Sequence, residues 1–409
     1  MPETPENDGP ERLTIVYATA FDITAPNGPG VNEREFVLAM SKSGKLHSAN
    51  VPQSANELGD LSAIKQIRFL SPTAAGPLGL MVVNQIAMVR ALTDQVAAAQ
   101  ASGHSPIVVV RMPWLPWSLV RFKQRHPDLP LFLKSVGLVH ELPRYKGLKQ
   151  LLSRALLPTH EALVRKVLRG VDGLDAPTPQ LARFLADRFD IPQGKSVCIP
   201  NATNTDRFDP AKFEDGPARP GHIIGYIGGH PYERGGREIL FALARLRERF
   251  PDLSGLIVGG DAELLNREAE QLGVSDICEI PGQVPYEQVG AYFSRLDTLL
   301  ATDRQERAGT FGNSNQKIRQ ALAMRVPVIT NPNCEQLLLD EGVVRGIDTT
   351  DAEAVEREIV RVLEMPRAAL MDLKDHCRRV AVEHYSTAAT LRQRMAFWNS
   401  RIAASKMAQ

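Results

Sequence analysis

The feature that most constrains this chain is a unit that recurs along it: a short, almost wholly apolar run, a glycine-bearing loop, and then a helical pattern. Residues 13–18 (Leu-Thr-Ile-Val-Tyr-Ala) form such a run, followed by Ala25-Pro-Asn-Gly-Pro-Gly-Val-Asn-Glu-Arg-Glu-Phe and a helix beginning near Val31. Residues 222–227 repeat the arrangement, with Gly228-Gly-His-Pro-Tyr-Glu-Arg-Gly-Gly ahead of a helix over 238–249. A strand that is apolar on both faces must be covered on both faces, so these runs predict parallel strands between helices. Further runs at 106–110, 131–136, 171–176, 196–199, 256–258, 277–280 and 298–301 alternate with helical patterns, which extends the expectation to whole sheets.

The resulting expectation is an α/β chain of two doubly wound, Rossmann-like domains whose glycine loops face a shared cleft. The proline- and glycine-rich stretch 213–221 suits a boundary. The domains are placed at 1–205 and 206–384, with a last helix at about 385–405 packing back on the body. At 409 residues the chain is long enough for both. Its formal net charge of +1 gives no reason to expect a nucleic-acid partner. Cys198, Cys278, Cys334 and Cys377 are widely spaced and form no CxxC pair, so neither a zinc site nor a disulfide framework is expected, and a reducing, cytoplasmic setting fits. The acidic, proline-containing residues 1–12 do not read as a signal peptide, and no stretch approaches the roughly 20 apolar residues of a membrane span.

One segment combines a polar loop, a helix start and a buried strand. Residues 311–330 read Phe-Gly-Asn-Ser-Asn-Gln-Lys-Ile-Arg-Gln-Ala-Leu-Ala-Met-Arg-Val-Pro-Val-Ile-Thr, with Ile318, Ala321 and Leu322 at helical spacing. Unpaired amides and the positive end of a helix dipole suit a diphosphate, and Lys317 in the first turn adds a full charge. An ordinary αβ unit with a polar cap reads equally well. Arg111 lies where the carboxyl end of a strand opens on a crevice; it either meets an anionic or hydroxylated ligand or pairs with a carboxylate. Trp114 and Trp117, just after it, either stack on an acceptor or fill the core. Residues 144–169 are basic on one face and leucine-rich on the other, which fits an anionic membrane surface or a solvated helix packed on its domain.

The order of these signals resembles the retaining glycosyltransferases of the GT-B fold, family 4 type. Ile199-Pro-Asn-Ala-Thr-Asn-Thr-Asp-Arg-Phe-Asp-Pro resembles the segment that joins their halves. Ile224-Gly-Tyr-Ile-Gly-Gly with Arg234-Gly is similar to their "GR…KG" stretch, Gly282-Gln-Val to their "G.V", and 315–329 to their "K..E.lA.G.PVI". The resemblance is clearest from about 170 to 400. It implies that Gly28 and Gly30 let a loop approach the donor diphosphate and that Arg234 stands where the family keeps a diphosphate lysine. It also implies that Val284 offers its backbone to the nucleobase, that Gly312, Asn313 and Ser314 lie beside the phosphates or donor sugar, and that Gln320 meets the ribose.

Three departures stand out. Gly229 replaces the arginine of "GR", leaving Lys317 or Arg237 to substitute; Gly312 falls where the first glutamate of the family's spaced pair belongs; and Arg111 occupies the run that usually carries a histidine. The implied activity is transfer of a sugar from a nucleotide-diphosphate sugar to a glycan or lipid-linked acceptor, without cofactor or metal, with Arg234, Lys317 and Arg111 as the charged groups. A non-catalytic GT-B-like subunit, or an epimerase or phosphorylase of the same fold, remains the alternative.

Overall fold

A computed structural model describes residues 13–25, 28–52, 58–70, 83–111, 117–134, 148–213, 221–302, 312 and 314–407, with the side chains of 117 and 148–156 excepted. The chain divides into two units, Met1–Ile199 with Leu391–Gln409, and Pro200–Thr390.

The first unit is a seven-stranded parallel sheet. In chain order its elements are β1 (Leu13–Thr19), α1 (Gly28–Lys42), β2 (Leu46–Val51), β3 (Ile67–Phe69), α2 (Asn84–Ala101), β4 (Ser105–Arg111), α3 (Trp117–Arg125), β5 (Leu131–Lys134), α4 (Leu148–Gly170), β6 (Gly173–Ala176), α5 (Pro179–Phe189) and β7 (Ser196–Cys198). The strand order is β3-β2-β1-β4-β5-β6-β7, so the winding direction reverses between β1 and β4. Local chemistry fixes the element ends. At α5, Thr178 is an extended N-cap whose hydroxyl accepts from the Leu181 amide at 3.1 Å, Pro179 fills the first helical position, and Asp190 closes the helix in the left-handed region at φ 53°.

The second unit is a six-stranded parallel sheet ordered β10-β9-β8-β11-β12-β13. Its elements are β8 (His222–Ile227), α6 (Gly236–Leu246), β9 (Leu253–Val258), α7 (Ala262–Gln271), β10 (Cys278–Gly282), α8 (Val289–Phe293), β11 (Thr298–Ala301), α9 (Gln316–Ala323), β12 (Val328–Thr330), α10 (Gln336–Asp340), β13 (Val344–Gly346), α11 (Ala352–Leu363) and α12 (Arg367–Tyr385). Here the reversal lies between β8 and β11. Adjacent residues of one strand enter opposite cores: Tyr226, Ile257 and Leu300 join Ile239, Leu243 and Ile359 on one face, whereas Ile227, Val258 and Leu299 join Ile318, Leu322 and Tyr385 on the other. Two-sided burial is the physical reason these runs carry no polar alternation.

The last helix, α13 (Thr387–Met407), places Leu391 and Trp398 in the core of the first unit. Trp398 is wholly buried, its ring 5.7 Å from that of Phe132, and the absence of a side chain at Gly173 makes room for Phe397. Beyond the pattern read from sequence, the sheet of the first unit has two more strands, β2 and β3. Within β2, Ser48 and Asn50 are buried, and Asn50 Nδ2 donates to the Tyr17 carbonyl at 2.9 Å. Polar residues buried inside the sheet hide such a strand from a search for apolar runs.

Replacing Trp398 by Ala opens a large cavity under β5 and is expected to cost about 3–5 kcal/mol. Chemical denaturation followed by far-UV circular dichroism measures it; a loss below about 1 kcal/mol would mean that α13 contributes little to this core.

Candidate functional site

In doubly wound sheets, ligands gather at the carboxyl ends of the strands where the winding reverses. The glycine loop after β1 and Arg111 at the end of β4 flank that point in the first unit. In the second, Gly228–Gly229 after β8 and Gly312 to Lys317 after β11 flank the equivalent point.

In the second unit three strand ends are tied backbone to backbone. The Gly228 amide donates to the Val258 carbonyl at 3.0 Å, and the Gly259 amide to the Gly282 carbonyl at 2.9 Å. Gly228 and Gly259 both sit at φ +150°, and a Cβ on Gly259 would collide with the Gly228 carbonyl oxygen, so no other residue fits that contact. The loop then turns back to β11, where the Thr302 amide donates to the carbonyl of half-buried Arg234 at 3.2 Å.

Helix α9 brings the second half of the site. Its N-cap, Asn315, is extended and makes no side-chain cap to the helix, although its carbonyl accepts from the Ile318 amide at 3.2 Å. Lys317 is buried, and its Nζ donates to the Tyr226 hydroxyl at 2.7 Å while standing 4.1 Å from the centre of the same ring. The Tyr226 hydroxyl in turn donates to the Gly229 carbonyl at 2.7 Å. Lys317 is thereby brought against the Gly228–Gly229 loop.

One turn on, buried Gln320 directs Nε2 to the Tyr286 hydroxyl at 3.4 Å, and Val284 and Tyr286 pack against the same core as α9. Ser314 is committed to structure: its hydroxyl accepts from Arg319 Nη2 at 2.9 Å and its carbonyl from Asn201 Nδ2 at 3.0 Å. Arg319 itself is buried and ion-paired with Glu335. Gly312 adopts φ +70°, a left-handed state that a glutamate at this position would strain to enter. Asn313 lies outside the described residues.

In the first unit Arg111 does not meet a ligand. It is 1% exposed; its Nη1 lies 2.8 Å from Glu33 Oε1 and donates to the Pro29 carbonyl at 3.1 Å, and its guanidinium stacks 3.9 Å over the Phe21 ring. The open alternatives for this residue therefore resolve to the carboxylate pair, and its role as a ligand-facing cation is corrected. A carboxylate one turn into α1 is the reason, drawing the guanidinium under the helix start rather than outward. Lys134, the last residue of β5, reaches the same Glu33 oxygen at 2.6 Å, and the Tyr17 hydroxyl donates to the other.

Asp175 and Arg394 continue the network at 3.0 Å. Burial alone would raise the Glu33 carboxyl, but Arg111, Lys134 and Arg394 hold it below its usual range. Burial lowers the Lys134 ammonium to about 8 despite the pull of Glu33, and burial raises Asp175 against Arg394 and Lys134. Gly30 is required by packing, since a Cβ there would strike the Ala25 carbonyl, whereas Gly28 is exposed with open space around its α-carbon.

Sequence reasoning thus located both switch-point loops and Lys317 but missed Tyr226, Glu33 and Tyr286. Glu33, one turn past the glycines, was the available signal for the fate of Arg111. Trp114 lies outside the described residues, as does the side chain of Trp117. In the described part of α4, Val164, Val167 and Leu168 are buried while Arg165, Lys166 and Arg169 are exposed. Among the described residues no helix is long and apolar enough to cross a membrane, and no group of three or more His, Cys, Asp or Glu residues is placed to hold a metal.

Two such sheets, each with its loops at a switch point, define the GT-B class of fold. A solved glycosyltransferase from Rickettsia africae has this fold, with a TM-score of 0.70 at 15% identity over 96% of this chain and 99% of its own. More specifically, residues 221–365 match the family described as glycosyl transferases group 1.

Two curated relatives are similar in sequence. A 2-deoxystreptamine glucosyltransferase of Streptomyces kanamyceticus is 28% identical over 37% of this chain and 42% of its own length. A GDP-mannose-dependent alpha-(1-6)-phosphatidylinositol monomannoside mannosyltransferase of Mycolicibacterium smegmatis is 28% identical over 53% of this chain and 59% of its own. The match therefore spans roughly half the length of these relatives.

Arg111→Met leaves Glu33 with one cation fewer and is expected to cost about 3–5 kcal/mol, and adding Glu33→Gln should recover part of it; urea unfolding of Arg111→Met, Glu33→Gln and the double variant checks the sign of the coupling. Lys134 gives a pH signature. Between about 8 and its ordinary value of 10.5 the unfolded chain holds a proton that the native chain lacks, so this group makes stability rise with pH across that window. Melting midpoints from pH 7 to 10.5 should show that rise in the native sequence relative to Lys134→Met, and parallel curves would refute it.

Proposed function

We propose that this chain is a glycosyltransferase that moves a sugar from a nucleotide-diphosphate sugar to a glycan or lipid-linked acceptor, with retention at the anomeric carbon, in cell-surface polysaccharide or glycoconjugate assembly. The observation that carries the reading is the position of Lys317, held against the Gly228–Gly229 loop at the switch point inside the segment that matches the glycosyl transferase family. Breaking the bond between sugar and diphosphate builds negative charge on the leaving group, which fixed cations and helix amides stabilise in place. Lys317 and Arg234 are the cations, the start of α9 supplies amides, and this set performs the role without a metal.

In the first unit, Gly28 leaves open space at the start of α1, and Arg111 donates to the Pro29 carbonyl beside it. Val284 lies beside the nucleobase and Gln320 at the ribose, where a carboxamide both donates and accepts; Gly312 and Ser314 lie near the phosphates or the donor sugar. The exposed Arg165, Lys166 and Arg169 of α4 suit contact with an anionic membrane surface from the cytoplasmic side, and one relative is named for action on a phosphatidylinositol mannoside. Gly312 favours a second reading, since a glycine in a left-handed state stands where the family has a glutamate: a unit that binds nucleotide without turning it over.

A panel of nucleoside diphosphates and their sugars tests both readings by thermal shift, because a ligand of the native state raises its midpoint. One nucleotide series should stabilise the protein, with affinity falling roughly ten- to hundredfold in Arg234→Ala and Lys317→Ala, the scale of a lost charged hydrogen bond. No shift at millimolar nucleotide overturns the donor site. Binding without any donor hydrolysis or transfer selects the non-catalytic unit.

A further inference from the structure

We propose that Tyr226 is the positioning residue of the donor site, holding the Lys317 ammonium and the Gly228–Gly229 loop at a fixed separation for a diphosphate. The inference rests on the donor-site reading above and adds to it a residue that touches no ligand. Tyr226 belongs to β8 and is wholly buried, so its ring is fixed by the core on the α6 face.

The direction of its hydrogen bonds follows from chemistry. A lysine ammonium only donates, so the phenol oxygen must accept at 2.7 Å, and its own proton is left for the Gly229 carbonyl at 2.7 Å. The chain of donation runs Lys317 to Tyr226 to Gly229. A Cβ on Gly228 would lie 3.3 Å from the Tyr226 hydroxyl and 3.4 Å from Lys317 Cδ, so loop, phenol and lysine stem are already in close contact. Lys317 and Tyr226 are 91 residues apart in sequence, and this hydroxyl joins the helix that carries the cation to the loop it serves. Without it the ring remains beneath the ammonium, but the oxygen that sets the spacing is gone.

Tyr226→Phe isolates that oxygen. UDP and GDP are titrated against the native protein, Tyr226→Phe, Lys317→Met and the double variant, with the matching nucleoside as a probe that lacks phosphates. Tyr226→Phe is expected to weaken the nucleoside diphosphate roughly 5- to 20-fold, to leave nucleoside binding within about twofold, and to have under about twofold effect once Lys317 is Met. Diphosphate affinity unchanged in Tyr226→Phe overturns the proposal while leaving the donor site standing. Equal losses with and without Lys317, or an equal loss of nucleoside affinity, also overturn it, because either result marks a general packing role. A native protein that binds no nucleoside diphosphate of the panel removes the donor reading and this inference with it; if another member of the panel binds, it replaces UDP and GDP in the titration.

Discussion

Two-sided burial of parallel strands is the constraint on which the rest of this molecule depends. A parallel strand covered on both faces must be followed by a crossover helix, and every crossover begins at the same edge of its sheet. The loops that carry Gly28, Gly228, Gly259 and Gly312 therefore share edges without any contact having been selected to gather them. Where the winding reverses, two of those loops separate to opposite faces and leave backbone amides open. It is at such reversals that doubly wound sheets leave room for a ligand.

The two units use that room differently. In the second, the cation and the glycine loop are joined through the Tyr226 phenol, which accepts from Lys317 and donates to the Gly229 carbonyl. In the first, the cations at the strand ends turn inward onto Glu33, and the burial of both signs of charge makes this a structural network rather than a reactive one. Removing charge from water is costly, and the cost is offset here by three groups converging on one carboxylate. What the network ties together is the start of α1, through Glu33 and the Pro29 carbonyl, and the ends of β4 and β5.

How much of this was legible in the sequence follows the same physics. Strands β1, β4, β8 and β11 announced themselves because each is apolar on both faces, and Thr178 announced α5 because a cap and a proline coincide. Strand β2 did not, since Ser48 and Asn50 place polar side chains inside the sheet. Lys317 was legible from a local pattern. Arg111 was ambiguous because its direction depends on Glu33, a residue distant in the chain whose side chain could equally have faced solvent. Tyr226 was invisible as anything but core: within an apolar strand its hydroxyl acquires meaning only when α9 arrives from another part of the chain.

The placement of α13 has a consequence for how the protein comes to be made. Trp398 and Arg394 complete the core and the charge network of the first unit, yet they leave the ribosome after the whole of residues 200–390. At typical synthesis rates of about 5–20 residues per second, the first unit waits on the order of 10–40 s with Phe132 uncovered and Asp175 without its arginine. During that interval the nascent first unit is an incomplete fold with an open apolar face. Its maturation is timed by the synthesis of α13, and that exposed face is the surface a chaperone would meet.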